Sequence, residues 1–208
     1  MNQKNSLGLN NCFLDLDDPI QLFKTWMDEA KKSEPNDPNA VSLATSNKNN
    51  FPSVRMVLLK DFSQNGFVFY TNLKSKKGNE LKENPKVAMC FHWKSLLRQI
   101  RINGTVTQVA DEVADKYYNS RSYESRIGAW ASKQSEELIN RDQLINSIKE
   151  YKNKYNEENK VPRPSHWSGW ILSPLNIEFW LDGDNRIHER LKYTKASSGQ
   201  WSKSLLSP

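Results

Sequence analysis

Cysteine and histidine are scarce in this chain of 208 residues, which has two of the first and three of the second. Cys12 and Cys90 cannot build a disulfide framework and lack metal-ligand spacing. A reducing, cytoplasmic setting is therefore the expectation. His92, His166 and His188 form no H-E-x-x-H or comparable set, so no metal site is expected. No run approaches the ~18 consecutive apolar residues of a membrane-spanning helix. Residues 1–11 are polar, with no apolar stretch of the secretory type. The chain contains no G-x-G-x-x-G, no G-x-x-x-x-G-K-[ST] and no G-x-S-x-G. Rossmann, P-loop and nucleophile-elbow chemistry are disfavoured accordingly. No internal repeat or low-complexity block is present.

What the chain does have is positive charge. Thirty Lys+Arg against 24 Asp+Glu leave a net +6, with a pI near 9.2. That balance suits nucleic acid or small phosphorylated ligands. No basic helix or aromatic–basic ladder appears, so nucleic acid is the weaker choice. The 21 lysines are scattered, while the 9 arginines cluster beside aromatic and polar residues. Arginine is the residue suited to bidentate anion recognition. The length and a hydrophobic share of 37% are enough for one well-formed core.

Residues 18–33 are predicted to be a helix, with Asp18 as N-cap, Pro19 at its first position and Phe23, Trp26, Met27 and Ala30 on one face. Strands are expected over 40–45, 54–59, 67–71, 87–93 and 98–109. The nearly continuous apolar run 54–59 predicts burial on both faces. A short helix is expected over 74–84, stopped by Pro85, and further helices over 110–119 and 136–155, with 120–133 irregular between them. Three closing strands are expected over 169–172, 177–181 and 186–193, and a last one over 201–205. Strands in hairpins with few helices predict an α+β architecture, an antiparallel sheet or small barrel with helices outside it.

Several cations and amides sit inside or at the ends of apolar strands. Arg55 and Lys60 bracket one run, where each needs an anionic partner, whether a carboxylate of the chain or a ligand. Ser75-Lys76-Lys77 opens a helix, where backbone N–H groups favour an anion. Gln99 lies between Arg98 and Arg101. Arg186, His188 and Arg190 share parity, which puts them on one face of an expected strand following Trp180. Together these suggest a site for more than one phosphate and a flat ring.

Nine segments in order carry a resemblance: R-M-V-L-L-K at 55–60, F-V-F-Y-T-N at 67–72, S-K-K at 75–77, R-Q-I-R at 98–101, Y-Y-N-S-R at 117–121, I-G-A-W-A-S-K-Q-S at 127–135, I-E-F-W at 177–180, R-I-H-E-R at 186–190 and W…L-x-P at the C-terminus. Over residues 19–208 the chain resembles the pyridoxamine/pyridoxine 5′-phosphate oxidase family. The resemblance implies an antiparallel split β-barrel with peripheral helices, a flexible segment at 1–18, a single FMN-binding domain over 19–208, and a homodimer sharing its FMN sites. It implies FMN held by Arg55, Tyr70, Thr71, Lys76, Lys77, Gln99, Gln134, Ser135, Trp180 and Arg190. It implies a substrate phosphate met by Lys60, Tyr117, Arg121 and Ser125, with Arg186 and His188 as the catalytic pair over the pyridine ring. The implied reaction is hydride transfer from pyridoxamine or pyridoxine 5′-phosphate to flavin N5, giving pyridoxal 5′-phosphate, with O2 reduced to H2O2. No nucleic acid, membrane or metal enters.

The chain departs from the family pattern in four places. Residues 1–17 have one basic residue, Lys4, and no Tyr, where the family carries an Arg-rich, Tyr-bearing segment. Lys76 stands for the usual Arg, Ser122 for the usual Pro, and Trp167-Ser168-Gly169 for W-G-G. The alternatives are a related split-barrel flavin oxidase of the phenazine-biosynthesis type and a non-catalytic flavin or pyridoxal-phosphate binder.

Overall fold

The first helix, α1 (Pro19–Ser33), forms where its capping signals place it. The Asp18 carboxylate accepts from the Ile20 N–H, and Lys31 and Lys32 sit in the last turn, where the helix dipole favours them. The computed structural model describes residues 4–208. α1 lays Phe23, Trp26, Met27 and Ala30, all buried, onto the sheet. Phe23 meets the edges or faces of Phe62, Phe67 and Phe91 at 4.8–5.4 Å. Truncating such a residue typically costs about 3–5 kcal/mol.

Nine strands form one antiparallel sheet: β1 (Ala40–Ser46), β2 (Pro52–Leu58), β3 (Asp61–Ser63), β4 (Gly66–Asn72), β5 (Lys86–Trp93), β6 (Arg98–Gln108), β7 (Trp167–Leu181), β8 (Glu189–Lys195) and β9 (Trp201–Leu205). The order is β2-β1-β5-β6-β7-β4-β3, with β8 also on β7 and β9 on β8. β6 pairs with β7 along one edge from Trp170 to Leu181. The other edge is divided: β4 takes Trp167–Leu172 and β8 takes Asn176–Leu181. That division makes the barrel split, as expected. Helices α2 (Lys76–Glu83), α3 (Asp111–Asn119), α4 (Tyr123–Ala131) and α5 (Arg141–Lys154) complete the fold. Among the described residues no helix is long and apolar enough to cross a membrane.

Five expectations are corrected. β2 is not buried on both faces: Val54 and Met56 are 68% and 61% exposed. The stretch 120–133 is not irregular, since Ser122 caps α4 by accepting from the Ser125 N–H. The helix expected from 136 begins at Arg141. Two of the closing strands are one, because a register shift at Asn103/Gly104 absorbs Leu175 and lets β7 continue. The strand expected from 186 begins at Glu189, so parity does not align Arg186 and His188 with Arg190. Asn185 and Arg186 lie in a tight turn with φ of 56° and 65°.

The segment expected to be flexible is packed over residues 4–18; residues 1–3 lie outside the described residues. Phe13 is fully buried. The Trp26 indole donates to the Cys12 carbonyl at 2.7 Å, and the Tyr193 hydroxyl donates to the Leu16 carbonyl at 2.7 Å. Lys4 pairs with Glu189.

Candidate active site

A cavity of about 640 Å³ opens where β2, β4, α3 and α4 meet. β4 contributes Tyr70 and Thr71, the start of α2 contributes Lys77, and the end of β2 leads into Lys60. Tyr117 and Arg121 come from α3 and the turn after it, Ser125 from α4, and Gln134 from the segment following α4. Eight of the residues singled out in the sequence thus line one space.

Its wall is aromatic. Tyr70 stacks on Tyr117 at 4.0 Å and on Trp167 at 5.2 Å, with interplanar angles of 16° and 9°. Gly169 makes this possible, since a Cβ there would lie 2.7 Å from the Tyr70 ring. Burial raises the Tyr70 phenol's pKa, helped by the neighbouring Tyr117.

Arg121 sits at the capped start of α4 with its guanidinium 4.8 Å from the Trp167 ring centre. Its Nη1 is buried and, among the described residues, meets no hydrogen-bond acceptor, and burial lowers its pKa. A desolvated cation with an unused donor is costly unless an anion completes it. Ser122 and Ser125, in hydrogen bond at 2.9 Å, stand beside it. Lys77 is lowered first by burial and then by the Arg55 charge. Its ammonium donates to the Gln134 amide oxygen at 3.0 Å, and Thr71 approaches the same oxygen at 3.4 Å.

The remaining candidates lie elsewhere. Arg55 turns away from the cavity into an ion pair with Glu80 at 3.1 Å, and Lys76 pairs with the same carboxylate. Ser135, with φ of 75°, lines an adjoining cavity of about 270 Å³. Gln99, Trp180 and Arg190 stand in cross-strand register on β6, β7 and β8. The His188 ring lies 4.6 Å from that of Trp180, and its Nδ1 is 2.9 Å from Asp182 Oδ1. Arg190 is held by Glu178 through Nε at 2.9 Å and Nη2 at 2.7 Å. Arg186 is exposed in the turn.

The cavity lies at the Gly169 end of β7, and this second group at the Trp180 end. Eleven residues of extended chain span on the order of 35 Å, too far for one small molecule to touch both groups in one protomer. Sequence reasoning missed Trp167 as a cavity wall and Glu178 as the partner of Arg190. Only the W-S-G and I-E-F-W motifs pointed near them. Among the described residues no cluster of His, Cys, Asp and Glu could hold a metal ion.

A sheet in which one edge of a long strand is shared out between two others, with a cavity walled by stacked aromatics beside it, defines the split β-barrel class. The fold is similar to that of PhzG from Burkholderia lata 383, solved in complex with tetrahydrophenazine-1-carboxylic acid (TM-score 0.88, 29% identity, 95% of this chain and 96% of that one). It is also similar to a pyridoxamine 5′-phosphate oxidase-related, FMN binding protein from Nostoc punctiforme (TM-score 0.74, 14% identity, 92% and 98% covered), a likeness of fold alone.

The sequence pattern described as pyridoxamine 5′-phosphate oxidase matches residues 27–155. That of the pyridoxine 5′-phosphate oxidase C-terminal dimerisation region matches 167–208. A pyridoxine/pyridoxamine 5′-phosphate oxidase of Pelagibacter ubique is 73% identical over 208 residues, all of both chains. One of Allorhizobium ampelinum is 54% identical over 197 residues, 94% of this chain and 95% of that one. The chain belongs to the pyridoxamine 5′-phosphate oxidase family.

Proposed function

We propose that the protein is a homodimeric, FMN-dependent enzyme that oxidises pyridoxamine or pyridoxine 5′-phosphate to pyridoxal 5′-phosphate, reducing O2 to H2O2. The observation that carries the reading is the buried, partnerless Nη1 of Arg121 in a cavity walled by stacked aromatics. An anion on a flat ring would complete that corner. Full-length identity of 73% to a pyridoxine/pyridoxamine 5′-phosphate oxidase supports the same substrate class.

On this reading Arg121 forks onto the substrate phosphate, with Lys60, Tyr117 and Ser125 completing the cradle. FMN, when bound, supplies the two-electron acceptor that takes a hydride from substrate C4′ and passes electrons to O2. The residues present suit it. Among the described residues Lys77 forms no ion pair, and it lines the cavity with Tyr70, Thr71 and Gln134, while Arg55 and Lys76 are held on Glu80 and Ser135 lines the adjoining cavity. Gln99, Trp180 and Arg190 reach the flavin from the second protomer, because the length of β7 separates them from Lys77. There Arg190 and Gln99 would offer a cation and an amide to negative charge developing on the ring. Arg186 and His188 of that protomer hold the pyridine ring against the flavin, fixing C4′ at transfer distance. The exposed apolar face of β2 is what a second copy would cover. The enzyme works in the cytoplasm, with both cysteines as free thiols.

The test is spectroscopic. The purified protein should be yellow, with about one FMN per protomer, and should bleach when pyridoxamine 5′-phosphate is added without oxygen. Protein that is colourless and takes up no FMN overturns the proposal. A flavin that bleaches only with a non-phosphorylated ring acid favours the phenazine-type alternative, and a flavin that no substrate bleaches favours a carrier.

A further inference from the structure

Glu80 is a carboxylate buried among cations, beside the corner where the proposed function needs an anion. Its side chain is 5% exposed. Oε2 accepts from Ser53 Oγ at 2.7 Å, Arg55 Nη2 at 3.1 Å and the Thr45 hydroxyl. Oε1 accepts from Lys76 Nζ and shares the Ser53 hydroxyl at 2.8 Å. The Arg55 guanidinium is tied further by Nη1 to the Leu43 carbonyl at 3.1 Å and by Nη2 to Ser53 Oγ at 2.7 Å. Arg55 is thereby fixed in place, and the exposed Lys76 is drawn to the same carboxylate by its ion pair. Lys77, the next residue of α2, is turned instead to Gln134 and the cavity.

The charges have a simple sum. Arg55, Lys76 and Lys77 bring three positive charges and Glu80 one negative, leaving +2. A phosphate monoester near neutral pH carries about −1.5 to −2. Burial opposes the ionisation of Glu80, but its hydrogen bonds from Lys76, Thr45 and Ser53 outweigh it and hold the pKa at about 2. Its charge is therefore fixed under working conditions.

We propose that Glu80 is a positioning residue for the phosphate of the flavin: without touching the ligand, it locks Arg55 and Lys76 behind Lys77 and trims the local charge to match a dianion. This rests on the FMN reading above. Removing the carboxylate makes the corner more positive, yet it should bind phosphate worse. The cations lose their fixed geometry, and an ordered, charge-assisted site exceeds the worth of one extra unordered charge.

The experiment uses the full-length chain freed of flavin, titrated with FMN and, separately, with riboflavin, following quenching of flavin fluorescence. Two variants are compared with the wild type. E80D keeps the charge but shortens its reach, and so remains informative should E80Q fail to fold. In both variants FMN affinity should fall at least about tenfold, the worth of one misplaced charged hydrogen bond. Riboflavin affinity should be unchanged, since it lacks the phosphate. Tighter FMN binding by E80Q would show an effect of net charge alone and overturn the proposal. So would equal weakening for FMN and riboflavin, which marks a role in the fold, or unchanged FMN binding by E80D. Wild-type protein that binds FMN no better than riboflavin would instead refute the assignment of the corner to the flavin phosphate.

Discussion

Replacing Arg121 with Met should make the protein worse at its reaction and no less stable. Methionine keeps the apolar stem and removes a guanidinium whose Nη1 is buried without a partner. An orphaned buried donor costs about 1–3 kcal/mol. The contact over Trp167, with the guanidinium 4.8 Å from the ring centre, returns about 1 kcal/mol as a cation–π interaction. The difference predicts a ligand-free Arg121→Met variant between equal in stability and about 2 kcal/mol more stable. That corresponds to a rise in Tm of up to ~8 °C. Losing the charge-assisted contact that the proposed function gives Arg121 with the substrate phosphate should cost about 2–5 kcal/mol, a fall in kcat/KM for pyridoxamine 5′-phosphate of roughly 30- to 5,000-fold. Phosphate-free pyridoxamine should be turned over as poorly as by the wild type, so the preference for the phosphorylated substrate collapses. The assays are thermal unfolding without ligand and steady-state oxygen consumption with both substrates. A variant that keeps the phosphate preference, or that melts well below the wild type, would refute the reasoning.

Three further outcomes are expected. Glu80 has a pKa of about 2 in the fold against 4.5 for an unperturbed carboxyl; being depressed, it stabilises the fold above about pH 4.5, and this stability is lost as pH falls toward about 2. In urea unfolding, the stability gap between wild type and E80Q should narrow across that window, and a gap independent of pH contradicts the assignment. Met56→Glu puts a carboxylate on the exposed face of β2 and should split the dimer, because an unpaired charge at a buried interface costs several kcal/mol; sedimentation showing an unaltered dimer rules that face out. Arg186→Ala should retain its flavin and lose turnover on the order of 100-fold through misplacement of the ring, so loss of flavin with unchanged turnover after refilling would move Arg186 to the cofactor.

How far the fold was legible depended on whether the signal was local. α1 carries its cap, its first-turn proline and its apolar stripe within sixteen residues. β2 misled because an apolar run looks the same whether its faces are covered by its own core or by another molecule. α4 was hidden by small and polar residues, although Ser122 was a readable cap. β7 reads as two strands in the sequence because residues 173–176 lack an apolar pattern, whereas a bulge lets the strand pass. The cavity was harder still. Lys60, Tyr70, Tyr117 and Arg121 become neighbours only through the sheet and α3, and no local pattern encodes that. The Arg55–Glu80 pair spans twenty-five positions, so sequence alone left Arg55 poised between a carboxylate and a ligand.

The long reach of β7 has a genetic consequence. If each reaction centre takes its phosphate corner from one chain and its turn from the other, two defective alleles can repair each other. Arg121→Ala spoils only the first contribution and Arg186→Ala only the second. A mixed pair of chains then assembles one centre with both defects and one with neither. Random reassociation of equal amounts makes half of the pairs mixed, so about a quarter of full activity should reappear from two nearly dead preparations, as the two-fold symmetry of such pairs requires.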